Sequence, residues 1–230
     1  ISNKRISLES MAFMPAFKSA YIEYKDAMNN HGLYSSAYQD VEDKYVDFIA
    51  SVTEQGGFRD VLLVSNDGLV VFSLLQDESH GKNLFDSSLN ESLSKTYIMT
   101  ISKIEGQINI SKVDSYEGVR FIYFSSPIFK DGVYLATIIA SIPLPEFFSI
   151  IKDKGFDRSY NSFKFFELNS GVWSEVFNKS DDSSIGAEAA LLWSNYKSAY
   201  FPDVGYFKSA SILPSLSILM EINFSKDYFL

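Results

Sequence analysis

The sequence predicts an α+β protein: a long N-terminal helix followed by two modules, each a mostly antiparallel sheet with flanking helices. Three observations support this prediction. Apolar and aromatic residues recur at helical spacing through roughly the first sixty positions. Short apolar runs separated by turns that contain Asp-Gly then follow, as in antiparallel strands. The same succession returns more weakly after residue 156, which indicates a repeated architecture although the residues themselves barely align.

The N-terminal segment predicts a long amphipathic helix with one interruption. Its first apolar face is formed by Ile6, Met11, Met14, Phe17, Tyr21 and Tyr24. The turn-forming residues 29–32 break this pattern. A second face is formed by Tyr38, Val41, Tyr45, Phe48, Ile49 and Val52. Because Gly56-Gly57 ends this face as glycine ends a helix, we assign residues 1–57 to a helical stalk.

The first module, residues 58–155, contains five predicted strands. They are residues 61–64, 69–75, 108–113, 119–125 and 133–142. Residues 66–68, Asn-Asp-Gly, join the first two strands in a hairpin because Asp-Gly accepts positive φ at little cost, and residues 129–132 join the last two. The polar residues 79–94 predict a loop and a short helix. A helix over residues 145–155 closes the module, with proline at its start and glycine at its end.

The second, smaller module, residues 156–230, repeats the pattern with less regularity. Its predicted strands are residues 163–168, 172–177, 205–213 and 216–223. Residues 169–171, Asn-Ser-Gly, form its first turn, and Ser184 caps a short predicted helix. A second antiparallel sheet is therefore expected here.

Composition and charge exclude several classes of function. The chain carries 20 basic and 29 acidic residues, a formal net charge of −9, and its basic residues are scattered singly. A nucleic-acid-binding protein would need clustered Lys and Arg to neutralise phosphates. The chain has no cysteine, which excludes disulfides and thiolate metal sites. No apolar run approaches the ~20 residues that span a bilayer.

The candidate ligand site surrounds the fourth predicted strand of the first module. Residues 120–125 are largely apolar at both parities, so both faces of the strand should be covered. Phe121, Tyr123 and Ser125 share one face and combine aromatic rings with hydroxyl groups, as the linings of small-molecule pockets do. Packing in the protein core explains the same residues equally well. A charged cluster beside the preceding turn could clamp a zwitterion or a carboxylate, or could be a solvated hairpin tip. The predicted ligand-binding residues are Ser73, Asp114, Tyr116, Arg120, Phe121, Tyr123 and Ser125.

No convergent catalytic set can be drawn from the sequence. The two histidines, His31 and His80, each lie in a predicted loop beside a glycine, and we expect both at the surface. Their spacing does not match a metal-binding motif. Phosphate-binding glycine loops and the GxSxG nucleophile turn are absent. The sequence therefore predicts no enzyme, no metal site and no cofactor.

Several segments resemble the double Cache, or tandem PAS-like, sensor domains of bacterial histidine kinases, chemotaxis receptors and diguanylate cyclases. The five strands of the first module, with a helical excursion after the second, follow the PAS-like order. The resemblance covers residues 34–155 well and the remainder by position. It is carried by Tyr34-Ser35-Ser36-Ala37-Tyr38, Tyr45, residues 57–64, Asp67-Gly68, Gly81-Lys82-Asn83-Leu84 and residues 121–132.

The resemblance implies the periplasmic ligand-sensing part of an inner-membrane signal-transduction receptor. In that family the helical stalk leaves one membrane span, the membrane-distal module binds a small molecule, and the membrane-proximal module leads to the second span. A homodimer through the N-terminal helix is a further expectation. The amino-acid-binding members have a strand Asp where this chain has Ala140-Ser141, so amino-acid binding is not implied. A degenerate Cache module that binds a periplasmic protein is the alternative function.

Overall fold

A computed structural model describes the backbone of residues 2–85, 91–111, 114–116, 119–144, 146, 160–169, 172–178, 198–201, 206–213 and 218–225, and the side chains of residues 3–85, 91–111, 121–144 and 146. The chain divides into two compact units, Ile1–Leu144 and Pro145–Leu230. The boundary between modules that the sequence predicts, after residue 155, lies outside the described residues.

The N-terminal region is helical, as predicted, but it forms three helices. They are α1 (Ser2–Phe13), α2 (Pro15–His31) and α3 (Ser36–Gly56). The unpredicted break lies at Met14, which has an extended backbone (φ −62°, ψ 126°). Pro15 causes it, since proline disfavours helical conformation in the preceding residue and fits the first turn of the next helix. The Ser35 side chain caps α3, and Gly57 ends it in the left-handed conformation (φ 65°).

The first unit contains an antiparallel sheet in the predicted position. Its strands are β1 (Asp60–Ser65), β2 (Val70–Ser73), β3 (Asn109–Ile110), β4 (Asp114–Tyr116), β5 (Val119–Lys130) and β6 (Val133–Pro143). The strand order is β2-β1-β6-β5-β3, and β4 also pairs with β5. The predicted strand 108–113 corresponds to the shorter β3, whereas β4 was not predicted; both pair with β5. Helix α4 (Glu91–Ile101) lies between β2 and β3 in the chain and extends beyond the predicted helical segment 79–94.

Both faces of this sheet are covered. On one face, Tyr24 of α2 lies 4.8 Å from Phe72 of β2, and Phe58, just after α3, lies 6.0 Å from Phe124 of β5, measured between ring centroids. The other face packs against α4. Its buried cluster consists of Leu62, Val64, Val70, Leu84, Leu93, Tyr97, Tyr123 and Ile139. The two-sided apolar pattern of residues 120–125 therefore has its expected cause, because each parity of β5 meets a different layer.

The second unit repeats the topology of the first. Its strands are β7 (Tyr160–Asn169), β8 (Val172–Asn178), β9 (Ser198–Phe201), β10 (Tyr206–Leu213) and β11 (Ile218–Ser225). Their antiparallel order is β8-β7-β11-β10-β9. When the strands are numbered within each unit and β3 and β4 are counted together as the third, both sheets have the strand order 2-1-5-4-3. The predicted architectural repeat is confirmed; the strand β9 was not predicted, and the helix predicted from Ser184 lies outside the described residues.

No helix in the described part of the chain combines the length and the apolar composition that a membrane crossing requires.

Candidate functional site

The candidate site lies on the face of the first sheet that α4 covers. Strand pairing places Asp60 of β1, Ser141 of β6 and Tyr123 of β5 side by side. One step along the same face, Leu62 of β1 pairs with Ser73 of β2. Side chains two residues apart in a strand share a face. The row that contains Asp60 and Ser141 therefore lies directly beside the row of Leu62, which belongs to the buried apolar cluster.

Three predicted site residues of β5 lie on this face. The rings of Phe121 and Tyr123 are stacked, with centroids 6.5 Å apart and planes at 23°. Tyr123 is buried in the apolar cluster, and half-buried Phe121 packs at its edge. Ser125 is fully buried, with its hydroxyl oxygen 2.6 Å from that of Thr100 on α4. The structure thus brings these three residues together under α4, and their role in ligand binding stays a prediction.

Ser73 is fully buried in β2 and leads to a site residue that the sequence did not indicate. Its hydroxyl donates to Asp60 Oδ2 over 3.4 Å. The backbone N–H groups of Val61 and Leu75 donate to Asp60 Oδ1 over 2.8 and 3.2 Å. The pKa of Asp60 is raised to about 7, mainly by burial and in smaller part by the charge of Asp77, while the three hydrogen bonds act in the opposite direction. The one sequence signal for Asp60 was its position two residues before Leu62, which places both side chains on the same face of β1.

An arginine lies at the edge of the same face. The guanidinium of Arg59 is 5.7 Å from the centroid of the Phe121 ring, within cation–π range. Arg59 is exposed, and its N–H donates to the carbonyl of Ser141 over 2.9 Å, which extends the pairing of β1 with β6. An exposed positive side chain therefore lies next to the aromatic pair.

The other predicted site residues are placed by their backbone alone. β4 forms a hairpin with β5, in which Asp114 pairs with Phe121 and Tyr116 pairs with Val119. Asp114 is therefore next to the aromatic pair in the sheet. The side chains of Asp114, Tyr116 and Arg120 lie outside the described residues.

A second buried polar group joins α3 to β2, on the opposite side of the sheet from α4. The Tyr38 hydroxyl donates to the Val71 carbonyl over 2.8 Å and lies 2.8 Å from His80 Nε2. Since the hydroxyl proton is used, His80 donates through Nε2–H and carries no proton on Nδ1. Nδ1 is buried and has no hydrogen-bond partner among the described residues. The prediction that His80 lies at the surface is wrong: the residue is 6% exposed, because the loop that carries it folds back onto α3.

Burial lowers the pKa of His80 below its ordinary value of 6.5, although Glu42 and Asp77 act in the opposite direction. Among the described residues, no three His, Asp or Glu side chains converge as a metal ion would require.

Solved structures of receptor sensor domains share this fold at low sequence identity. The sensory domain of the Campylobacter jejuni chemoreceptor Tlp3 with isoleucine bound has a TM-score of 0.57 and 14% identity, over 98% of this chain and 83% of that one. The extracellular domain of the histidine kinase vpHK1S-Z8 has a TM-score of 0.52 and 12% identity, over 98% and 94%. The sensor domain of the Vibrio cholerae histidine kinase DctB has a TM-score of 0.50 and 15% identity, over 91% and 89%.

No family model and no curated protein matches the sequence. The chain has the fold of Cache-type sensor domains, and the resemblance stated from the sequence is confirmed at the level of fold.

Proposed function

We propose that this chain is the extracytoplasmic ligand-sensing domain of a bacterial transmembrane signalling receptor and has no catalytic activity of its own. The observation that carries the proposal is the face of the first sheet under α4, where stacked aromatic rings adjoin buried hydroxyl and carboxyl groups. Small-molecule sites have this composition. The structural neighbours add support, because the Tlp3 domain has a small molecule bound.

The ligand binds in the first module, between β5 and the elements that cover it. Phe121 offers a half-buried aromatic surface at the edge of the cluster, and Tyr123 continues it inward. Asp114 and Tyr116 of β4 are assigned to the polar edge of the site, because Asp114 pairs with Phe121. Arg120 stays a predicted site residue, at a position that alternates with Phe121 along β5. Ser73 closes the site at the β2 side together with Asp60.

Ligand binding changes the N-terminal helices through the sheet. Ser73 on the ligand face is followed back along β2 by Phe72, which points to the opposite face and contacts Tyr24 of α2. Tyr38 of α3 bonds to the same strand at Val71. A ligand that favours one arrangement of β2 therefore shifts the population of helix positions. The chain lies on the periplasmic side of the inner membrane. In the full receptor, its helices pass this change to a membrane span that flanks the chain.

The receptor forms a homodimer through its N-terminal helix. Ile6 and Phe13 of α1 are large apolar side chains that are 60% and 45% exposed. A second copy would cover this surface.

A thermal-shift screen of the purified chain against amino acids, carboxylates, amines, purines and sugars tests the proposal. A ligand present at 100 times its Kd should stabilise the fold by ~2.7 kcal/mol, a shift of a few degrees. Phe121→Ala should weaken binding of the ligand at least about tenfold, because the variant loses the more exposed of the two stacked rings. Phe129→Ala is the matched control, since Phe129 is half-buried at the far end of the same strand.

Unchanged affinity in the Phe121→Ala variant would show that the ligand binds elsewhere. Failure of every ligand class would favour the alternative, a degenerate module that binds a periplasmic protein. The outer surface of α4 suits that alternative, since Ile98, Met99 and Ile101 are 48%, 53% and 40% exposed.

A further inference from the structure

A buried lysine joins the start of helix α1 to the end of helix α3. Lys4 is 8% exposed, and lysine is seldom buried unless its ammonium group has partners. Its Nζ donates to the carbonyls of Gly56 and Gly57 over 2.7 and 2.5 Å. It also lies 5.1 Å from the centroid of the Phe58 ring, within cation–π range. These contacts join parts of the chain that are far apart in sequence, since Lys4 and Gly56 are separated by 52 positions.

The end of α3 has the properties that hold an ammonium group. The last carbonyls of a helix lack partners within the helix and carry the negative end of its dipole. Gly57 has a left-handed backbone there (φ 65°), and a Cβ at this position would collide with Nζ of Lys4. The contact therefore depends on a long cationic side chain from α1 and on a glycine at the end of α3.

The segment that holds Lys4 continues directly into the candidate site; we name this segment, residues 56–60, the junction. The N–H of Arg59 donates to the carbonyl of Ser141 over 2.9 Å. The Arg59 guanidinium lies 5.7 Å from the centroid of the Phe121 ring. The first two residues of the junction thus bind α1, and its last two belong to the site.

The junction contacts strand β5 from both faces of the sheet. The Phe58 ring, which lies against Lys4, is 6.0 Å from the ring of Phe124. Arg59 contacts Phe121, which is three residues from Phe124 in the same strand and therefore on the opposite face. Because Phe58 and Arg59 are neighbours in the chain, a shift of Arg59 on the α4 side also moves Phe58 and its contact with Lys4.

We propose that Lys4 and the junction couple the candidate ligand site to helix α1. Lys4 fixes the start of α1 against the junction, and Arg59 ties the junction to the aromatic pair of the site. Contiguous contacts of this kind carry energetic coupling between distant groups. A change in the site reaches α1 by this path without using β2, α2 or α3. The coupling is a property of the fold and needs no ligand, whereas its use in signalling rests on the proposed function.

Hydrogen exchange of the whole chain, measured on peptides within residues 6–13 of α1, tests the coupling. Lys4→Met keeps the apolar stem of the side chain and removes both hydrogen bonds. The protection of α1 should fall at least about tenfold, because both bonds have a charged donor. Arg5→Met is the matched control. It removes an exposed positive charge from the next residue of α1 and should change protection by less than about twofold.

A second substitution, on the ligand face, distinguishes coupling from local support of α1. Phe121→Ala removes the ring against which the Arg59 guanidinium lies. In the wild-type background it should lower the protection of α1 by roughly two- to fivefold, the size of one cation–π contact. In the Lys4→Met background the same substitution should leave α1 unchanged, because the link is already broken.

Equal effects of Phe121→Ala in the two backgrounds would overturn the inference. So would an equal loss of protection in α1, α2 and α4 of the Lys4→Met variant, since that result means general destabilisation. If Lys4→Met does not fold, Phe121→Ala alone decides: a larger loss of protection in α1 than in α2 supports the coupling, and an unchanged α1 contradicts it. None of these measurements uses a ligand, so failure of the ligand screen would refute the proposed function without affecting this result.

Discussion

At the scale of single residues, the first unit buries polar side chains in different ways. Ser125 and Thr100 form a neutral pair, in which Thr100 donates to the Thr96 carbonyl over 2.7 Å and is left to accept from Ser125. Asp60 takes three donors but no cation. His80 satisfies one ring nitrogen and leaves the other without a partner in the described structure. Buried polar groups are normally paired, so Asp60 and His80 are the incompletely compensated residues of this set.

The Tyr38 hydroxyl is expected to contribute measurably to stability. Tyr38→Phe leaves the Val71 carbonyl and the His80 Nε2–H without their partner in a buried place. A buried group that loses its hydrogen bond costs about 1–3 kcal/mol. We therefore expect the free energy of unfolding, measured by urea denaturation at pH 7, to fall by about that amount.

Tyr34→Phe is the control for this change. Tyr34 also lies beside His80, but its side chain is 66% exposed, and we expect an effect within about 0.5 kcal/mol. Equal effects of the two substitutions would mean that water replaces the Tyr38 hydroxyl without cost.

The sequence could indicate part of this site but not its pairing. Alternation along β5 was sufficient to place Phe121, Tyr123 and Ser125 on one face, because side-chain period in a strand is a local property. Asp60 and His80 were not indicated as buried. Their environment comes from α3, β2 and β6, which are distant in the chain, and no local pattern reports such contacts.

At the scale of elements, the same limit explains which helices and strands were predicted. The hairpins β1–β2 and β5–β6 carry Asp-Gly turns, so their position follows from short sequence signals. Helix α4 was only partly predicted, because its buried face, Leu93, Thr96, Tyr97 and Thr100, contains two threonines and shows a weak apolar period. The break between α1 and α2 was available from Pro15, but the apolar spacing continues across it.

Two of the buried hydrogen bonds that hold helix α4 to the sheet come from the side chains of Thr100 and Tyr97. One joins Thr100 to Ser125, and the other runs from the Tyr97 hydroxyl to the Ser65 carbonyl over 2.9 Å. Thr100→Val keeps the shape of the side chain but leaves the Ser125 hydroxyl without its acceptor. We expect a loss of about 1–2 kcal/mol in the free energy of unfolding.

Ser125→Ala should cost less than Thr100→Val, since Thr100 keeps its bond to the Thr96 carbonyl. The double variant should then be more stable than the sum of the two single effects predicts, because Thr100→Val no longer leaves a hydroxyl unpaired. Strictly additive effects in a double-mutant cycle would contradict the bond between the two side chains.

At the scale of the whole molecule, the two units share a strand order but differ in how clearly the sequence predicts them. Each sheet places its fifth strand, β6 or β11, between the first and fourth. Each sheet therefore needs the last strand of its unit, because that strand joins the first strand to the fourth. The repeat was recognisable from the succession of turns and apolar runs, although the short strand β9 has only four residues and left no distinct pattern.

The first unit should fold without the second, because it contains a complete sheet with both faces covered. We expect a chain of residues 1–144 to unfold cooperatively in urea, with a free energy of about 5–15 kcal/mol as for other single domains. A chain of residues 1–130 is the matched control. It lacks β6, which pairs with both β1 and β5, and should show no cooperative transition. If the ligand binds in the first module, the 1–144 chain should also keep the full ligand-induced stabilisation of the intact chain. A 1–144 chain that folds but no longer responds to the ligand would move the binding site to the second unit.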